Sequence, residues 1–200
     1  TDELTGRGVY YGASASDAAQ CQDEVVYVVG AANSAGQAVL NLAKFAKRVV
    51  LLVRGATLEA SMSRYLVDRI EANTGIEVRV GTEVTACQGD GHLESLALLD
   101  RAAGLEEHVD ADWLFVFIGA APRTDWLDGA VIRDGNGFVV TGPDLAEGWA
   151  LPRAPYALET SVPGVFAAGD VRLDSMKRVA SAVGEGAMAV HLVHRYLATI

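Results

Sequence analysis

The sequence predicts an α/β fold: a three-layer domain with a parallel β-sheet, helices on one side and a small antiparallel meander on the other. Three observations lead there. Glu24–Gly30 (EVVYVVG) and Arg48–Val53 (RVVLLV) are continuous apolar runs, the pattern of strands covered on both faces in a parallel sheet. A helix over about Ser34–Lys47 separates them, so residues 24–54 form a strand–helix–strand unit. Strands near 76–80, 82–86 and 92–99 follow in close succession, as in an antiparallel meander.

The remaining elements fall around this unit. Residues 1–22 are rich in turns and small residues and read as a linker. A helix at about Ser61–Asn73 carries Met62, Tyr65, Leu66, Arg69 and Ile70 at helical spacing. Trp113–Ile118 is another apolar strand. From Pro122 the composition shifts to turns, with Asp134-Gly-Asn-Gly137 before a strand at 138–140. Val162-Pro-Gly164 turns into a short strand, Val165–Ala168, that ends in Gly169-Asp170. A last helix spans about 175–197. There are no repeats and no low-complexity segment. The expected division is 1–22, 23–118 and 119–200.

Bulk properties exclude several function classes. Of 200 residues half are apolar, and 21 glycines suit many turns or cofactor-facing backbone. A formal net charge of −10 repels phosphate backbones, so no nucleic-acid partner is expected. No apolar run reaches the roughly 18–20 residues of a membrane span, and Thr1 opens no signal peptide. A soluble cytoplasmic protein without a membrane partner is expected. Cys21 and Cys87 form no CxxC and no zinc pattern, and no metal site is expected.

The chemistry starts at Gly30-Ala-Ala-Asn-Ser-Ala35. A strand, a glycine turn and a helix N-terminus make the phosphate cradle of a Rossmann-like unit, where free amides and the helix dipole hold a pyrophosphate. Ala32 stands where the usual pattern has its second glycine, at the point of closest backbone approach, and its methyl group opposes the cofactor. Ala35 affects only helix packing. The plain alternative is a tight turn of any α/β domain. At the end of the next strand, dinucleotide-binding units that prefer NAD carry Asp or Glu. Here stands Arg54, which cannot accept a ribose hydrogen bond but pairs with a 2′-phosphate, with Arg64 as a candidate helper. NADP is favoured over NAD; the alternative is an ordinary strand-end charge. His191 and His194, three apart, lack further ligands nearby, and Tyr65 with Arg69 lacks the lysine of a Tyr-xxx-Lys pair. Asp125, Asp128 and Asp134 are turn and cap residues.

Taken in order, Gly8–Tyr11 (GVYY), GAANSAG at 30–36, VRG at 53–55, IGAAPRT at 118–124, TSVPGVFAAGD at 160–170 and KRVASAVGEGAMA at 177–189 resemble the thioredoxin-reductase-like pyridine nucleotide-disulfide oxidoreductases of low-molecular-weight type. The NSAGQA and SMSRYL stretches look most like a branch often fused to a cyclic-nucleotide-binding domain. The resemblance covers the whole chain and about three-fifths of the family's length. It implies an NADPH-binding domain inserted in a discontinuous FAD domain, of which 1–22 is a linker and 119–200 the C-terminal part. The Gly-rich turn that opens the FAD site is expected upstream of Thr1.

Carried over by position, Gly30, Asn33, Ser34 and Ala35 would face the NADPH pyrophosphate, with Ala32 among them. Arg54 would hold the 2′-phosphate, at the first arginine of the family's HRRxxxR; Gly55 and, approximately, Glu59 replace the others. Gly119 would line the nicotinamide side. Gly169 would admit the FAD pyrophosphate, Asp170 would bind a ribityl hydroxyl, and Val179 and Ala180 would lie along the flavin. Gly12 and Ala15 stand in place of the family's redox cysteine pair, so no catalytic residue is assigned and dithiol exchange there is impossible. The implied activity is NADPH- and FAD-dependent oxidoreduction toward an unidentified redox acceptor in the full-length protein; these 200 residues alone are not expected to hold FAD. The alternatives are an inactive nucleotide-binding regulatory module and a structural or interaction domain. A homodimer is compatible with the resemblance.

Overall fold

The computed structural model describes the backbone of residues 2–13 and 15–200, and all their side chains except those of 2, 15, 16 and 146–148. The chain divides into two compact units, Thr1–Gly119 and Ala120–Ile200.

The first unit is built on a five-stranded parallel sheet. Its strands are β1 (Val9–Tyr11), β2 (Val25–Val29), β3 (Arg48–Val53), β4 (Ile76–Val80) and β8 (Trp113–Val116), in the order β1-β8-β2-β3-β4. The intervening elements are α1 (Ala15–Gln20), α2 (Asn33–Leu42) and α3 (Arg64–Glu71), followed by a separate antiparallel sheet of β5 (Thr82–Gln88), β6 (Ser95–Asp100) and β7 (Leu105–Asp110).

The continuous apolar runs have the expected cause. Val49, Leu51 and Val53 of β3 join Val26, Val28 and Phe115 in a core closed by Ala35, Val39 and Leu42 of α2 and by Leu66, Val67 and Ile70 of α3. The alternate residues Val50 and Leu52 join Tyr27 and Leu114 in a second core with Leu93, Leu96 and Leu98 of the meander. Period-two side chains therefore feed two layers, and each strand must be apolar throughout.

Several elements differ from the sequence reading. Residues 76–80 belong to the parallel sheet, as the strand β4 beside β3, and the meander takes its third strand from residues 105–110. The β4 sequence IEVRV alternates because this is an edge strand: Ile76 and Val78 pack on the helix-side core, while Glu77 and Arg79 pair with Arg48 and Glu107. Residues 1–22, read as a linker, contain β1, which pairs in parallel with β8, and α1. α2 stops at Leu42, because the chain from Ala43 onward turns back to β2 through the Asp23 N–H bonded to Phe45 O and the Lys47 N–H bonded to Glu24 O.

The second unit holds little regular structure apart from α4 (Val179–Leu197). The strands expected at 138–140 and 165–168 are single bridges, Val139 with Arg133 and Arg172, and Phe166 with Glu159. Polar side chains do the ordering. Glu159 is fully buried and accepts two bonds from Arg153 (2.7 and 2.8 Å) and one each from the Tyr156 and Gly164 N–H groups (both 2.9 Å). The Arg153 guanidinium lies over the rings of Trp149, Tyr156 and Tyr196.

Candidate functional site

The strand β2 ends in Gly30, whose φ of +149° is a conformation that side chains rarely adopt. A Cβ there would stand 2.7 Å from Phe117 O and 3.0 Å from the Cβ of Ala35, so the turn closes only without one. Ala35 is buried beneath it. The helix α2 then starts with Ala32 as N-cap, at φ −88° and ψ 175°, and no side chain caps it. Its first amides have no acceptor within the helix and are left to a ligand or solvent.

The turn opens into a cleft of about 1000 Å³ along the C-terminal edge of the parallel sheet. Of the expected cofactor residues, Gly30, Ala32, Ser34, Arg54 and Gly119 line this one cleft. Asn33 is exposed at the head of α2, and its Oδ1 accepts a bond from the Ser63 N–H (2.7 Å). Arg64 is not among the residues that line the cleft; its Nε bonds Asp68 at 2.7 Å on the exposed side of α3. Ala32 takes an extended backbone that any residue adopts, so nothing local requires glycine there; its methyl group faces the cleft as a steric matter only.

Sequence reasoning missed the other wall. Thr82, Glu83 and Cys87 of β5 and Arg101 beyond β6 line the same cleft, with Arg101 and Glu83 3.7 Å apart. No linear motif announces them, since they reach the site only through the pairing of β5 with β6. Ser61 also lines the cleft, and its hydroxyl donates to Ala31 O at 2.8 Å. The SMS triplet at 61–63 before a helix was a readable N-terminal signal.

The expected redox position follows β1. Gly12 has φ +89° and open space where a Cβ would stand, a backbone suited to glycine rather than to a cysteine. Ala15 begins α1, and its side chain lies outside the described residues. The two cysteines are both free thiols. Cys21 packs in the helix-side core and Cys87 against the meander-side core, on opposite faces of the sheet. Burial, and next the charges of Asp17 and Glu24, push the Cys21 thiol up to about 11; burial also raises Cys87.

In the second unit Gly169 and Asp170 form a single 3-10 turn, with Asp170 exposed. The Gly169 N–H donates to Glu185 Oε2 at 2.6 Å, and Glu185 also accepts from Arg172 Nε (3.0 Å) and from its terminal nitrogen (2.7 Å). The bonds from Arg172 hold the Glu185 carboxyl below the usual glutamate value against the opposing effect of burial, with help from the Gly169 amide. Val179 and Ala180 are exposed at the start of α4.

Residues 3–186 match the family model of the pyridine nucleotide-disulphide oxidoreductases. The chain belongs to that family. It is 31% identical over 201 residues to a thioredoxin reductase of Peptoclostridium acidaminophilum, an alignment covering 98% of this chain and 59% of the relative. It is 30% identical over 188 residues to a component of the alkyl hydroperoxide reductase of Staphylococcus epidermidis, covering 94% of this chain and 34% of that protein. The crystal structure of Lactococcus lactis thioredoxin reductase superposes with a TM-score of 0.78 at 22% identity, over 100% of this chain and 61% of the other, a likeness of fold. The chain thus spans about three-fifths of the length of the thioredoxin reductases it matches. Among the described residues no helix is long and apolar enough to cross a membrane, and no cluster could hold a metal ion.

Proposed function

We propose that this chain provides the pyridine-nucleotide side of an NADPH-dependent flavoprotein oxidoreductase, in which electrons pass from NADPH to FAD and on to an acceptor other than an internal CxxC disulfide. One observation carries the reading: Gly30, Arg54 and Gly119, from three separate strand ends, open on one cleft large enough for a dinucleotide. The residues fit the nucleotide. A Cβ at Gly30 is excluded by backbone, no side chain caps the first turn of α2, and the exposed Arg54 lines the same cleft, which supports a pyrophosphate at the helix start and a 2′-phosphate at Arg54.

NADPH supplies a hydride and FAD accepts it when both are bound. The chain's own part is to bind and orient. The first unit would hold the nucleotide through the backbone of Gly30 and Ala32–Ala35, with Gly119 beneath the nicotinamide end. In the second unit, Glu185 holds the Gly169 amide, and the exposed Asp170 that follows would accept a bond from a flavin hydroxyl. Val179 and Ala180 present the first turn of α4. In this reading residues 23–118 carry the NADPH site and 119–200 belong to an FAD-binding domain, while 1–22, expected with the latter, contribute β1 to the sheet of the first unit.

Calorimetry of NADP⁺ and NAD⁺ tests the first half: tighter binding of NADP⁺ is expected, and equal affinity overturns the role of Arg54. Anaerobic addition of NADPH to the flavin-loaded protein tests the second half, with bleaching of the flavin band as the expected result. Ala32, whose methyl group lines the cleft, favours a second reading, a nucleotide-binding module without turnover. Nucleotide binding with no bleaching would establish it.

A further inference from the structure

The segment from Arg54 to Ser63, between β3 and α3, is fixed to the nucleotide cradle at several points. At its start the Gly55 carbonyl accepts a bond from the Gly81 N–H at 2.9 Å. At its end lie the Ser61 hydroxyl on Ala31 O (2.8 Å) and the Ser63 N–H on Asn33 Oδ1 (2.7 Å). Between these two bonds Met62 is buried, with its sulfur 2.7 Å from where a Cβ on Gly36 would stand. Leu58, also buried, accepts from the Ser61 and Met62 amides.

The bond to Asn33 solves a local problem of α3. Ser63 is its N-cap, in extended backbone, and its side chain makes no capping bond. In a capping box, a Glu or Gln at the third helical position would bond back to the N-cap amide. That position is Leu66, which is committed to the core. The missing acceptor comes from the first residue of α2, thirty positions earlier. The Asn33 Oδ1 is thereby engaged with protein, which fixes the side chain between α2 and α3.

We infer that Asn33 and Ser61 form a clasp that positions the Arg54 segment against the cradle, and so set the preference for a dinucleotide carrying a 2′-phosphate. The inference rests on the dinucleotide reading above. A ligand held at both ends of the cleft gains from a fixed separation of Arg54 and the α2 amides, because the segment need not be ordered on binding. A ligand held only at the cradle gains nothing from it. Asn33 and Ser61 are then positioning residues that discriminate between NADP and NAD without touching the 2′-phosphate.

The test is calorimetry of NADP⁺ and NAD⁺ on the wild type and on Asn33→Ala, Ser61→Ala and Asn33→Asp, each checked by melting, together with amide hydrogen exchange over 55–63. Asn33→Ala and Ser61→Ala should each lower the ratio of NADP⁺ to NAD⁺ affinity roughly threefold to tenfold, the worth of one ordinary hydrogen bond. Asn33→Asp keeps an acceptor oxygen and should keep the wild-type ratio of affinities even where its charge weakens both nucleotides. Exchange over 55–63 should quicken in the two alanine variants and stay slow in Asn33→Asp. Equal weakening of both nucleotides by Asn33→Ala would mean that the side chain serves the pyrophosphate directly and would overturn the clasp, as would unchanged exchange. If the wild type binds neither nucleotide, the dinucleotide reading falls and the selectivity with it; the exchange result then decides the clasp alone.

Discussion

Replacing Gly30 with alanine should cost the first unit about 2–6 kcal/mol and abolish dinucleotide binding. Two costs add. The residue sits at φ +149°, and holding a side chain in such a sparsely populated region costs on the order of 1–3 kcal/mol. The new Cβ meets Phe117 O at 2.7 Å and the Cβ atoms of Ala35 and Phe117 at 3.0 Å, and forced overpacking of this kind costs about 1–3 kcal/mol more. Neither neighbour can step aside. The Phe117 N–H is bonded to Val29 O at 2.8 Å, and Ala35 is wholly buried under the turn. Relief therefore comes only by moving the first turn of α2, whose amides form the cradle.

Thermal unfolding followed by circular dichroism reads the first quantity, and a drop of roughly 4–24 °C is expected at about 2–4 °C per kcal/mol. Calorimetry with NADP⁺ reads the second. Gly36→Ala is the control: its Cβ meets the flexible end of Met62 rather than backbone, so a smaller loss is expected. Wild-type stability and affinity in Gly30→Ala would refute the reasoning that this turn geometry builds the cradle. Lost stability with unchanged affinity would refute the placement of the nucleotide there.

Other expectations follow from the same geometry. Arg54→Ala should weaken NADP⁺ about tenfold, the low end for a charge-assisted bond because the residue is exposed, and leave NAD⁺ unchanged by calorimetry. Ala32→Gly should tighten both nucleotides by a common factor with no loss of melting temperature; no tightening would end the steric argument for the methyl group. Glu159→Gln should lower stability at neutral pH by about 2–3 kcal/mol in urea titrations, since a buried carboxylate that accepts from Arg153 is lost. Burial opposes ionisation of Glu159, but the bonds from Arg153, Tyr156 and Gly164 prevail and hold it below the usual glutamate value. Its contribution is therefore present above about pH 4.3 and fades as pH falls through the depressed value, so the wild type should lose stability in acid more steeply than Glu159→Gln.

What was legible in the sequence is what local pattern decides. The runs EVVYVVG and RVVLLV, and GAANSA between them, announce strands covered on both faces and a glycine turn, and Val49 to Val53 divide between the two cores as that reading requires. What was not legible is what pairing decides. In LEEHVD of β7 only Val109 packs against a core, so no periodicity marks it as a strand, and it is held by its ladder to β6. The strand β4 alternates like a meander strand because an edge strand of a parallel sheet also shows one face to solvent. In the second unit TSVPGVFAAGD stands out as a motif, yet the residue that orders it is Glu159, just before it. A buried carboxylate is the least predictable inhabitant of a core, because its presence depends on an arginine that only the fold brings near.

The cysteines bear on where the electrons go. A dithiol relay needs two sulfurs able to form a bond near 2 Å, with Cα atoms within about 7 Å. Cys21 lies in the helix-side core and Cys87 against the meander-side core, so the five-stranded sheet separates them, and bringing them together would dismantle both cores. Their raised pKa values leave little thiolate at neutral pH, and the thiolate is the species that attacks a disulfide. Cys21 and Cys87 therefore cannot pair with each other as a redox disulfide in this fold. In the flavin-loaded protein, NADPH oxidation with a small one-electron acceptor should survive Cys21→Ser and Cys87→Ser singly and together. Loss of activity in the double variant, with flavin still bound and the melting temperature unchanged, would return the redox centre to the cysteines and overturn an acceptor served directly by the flavin.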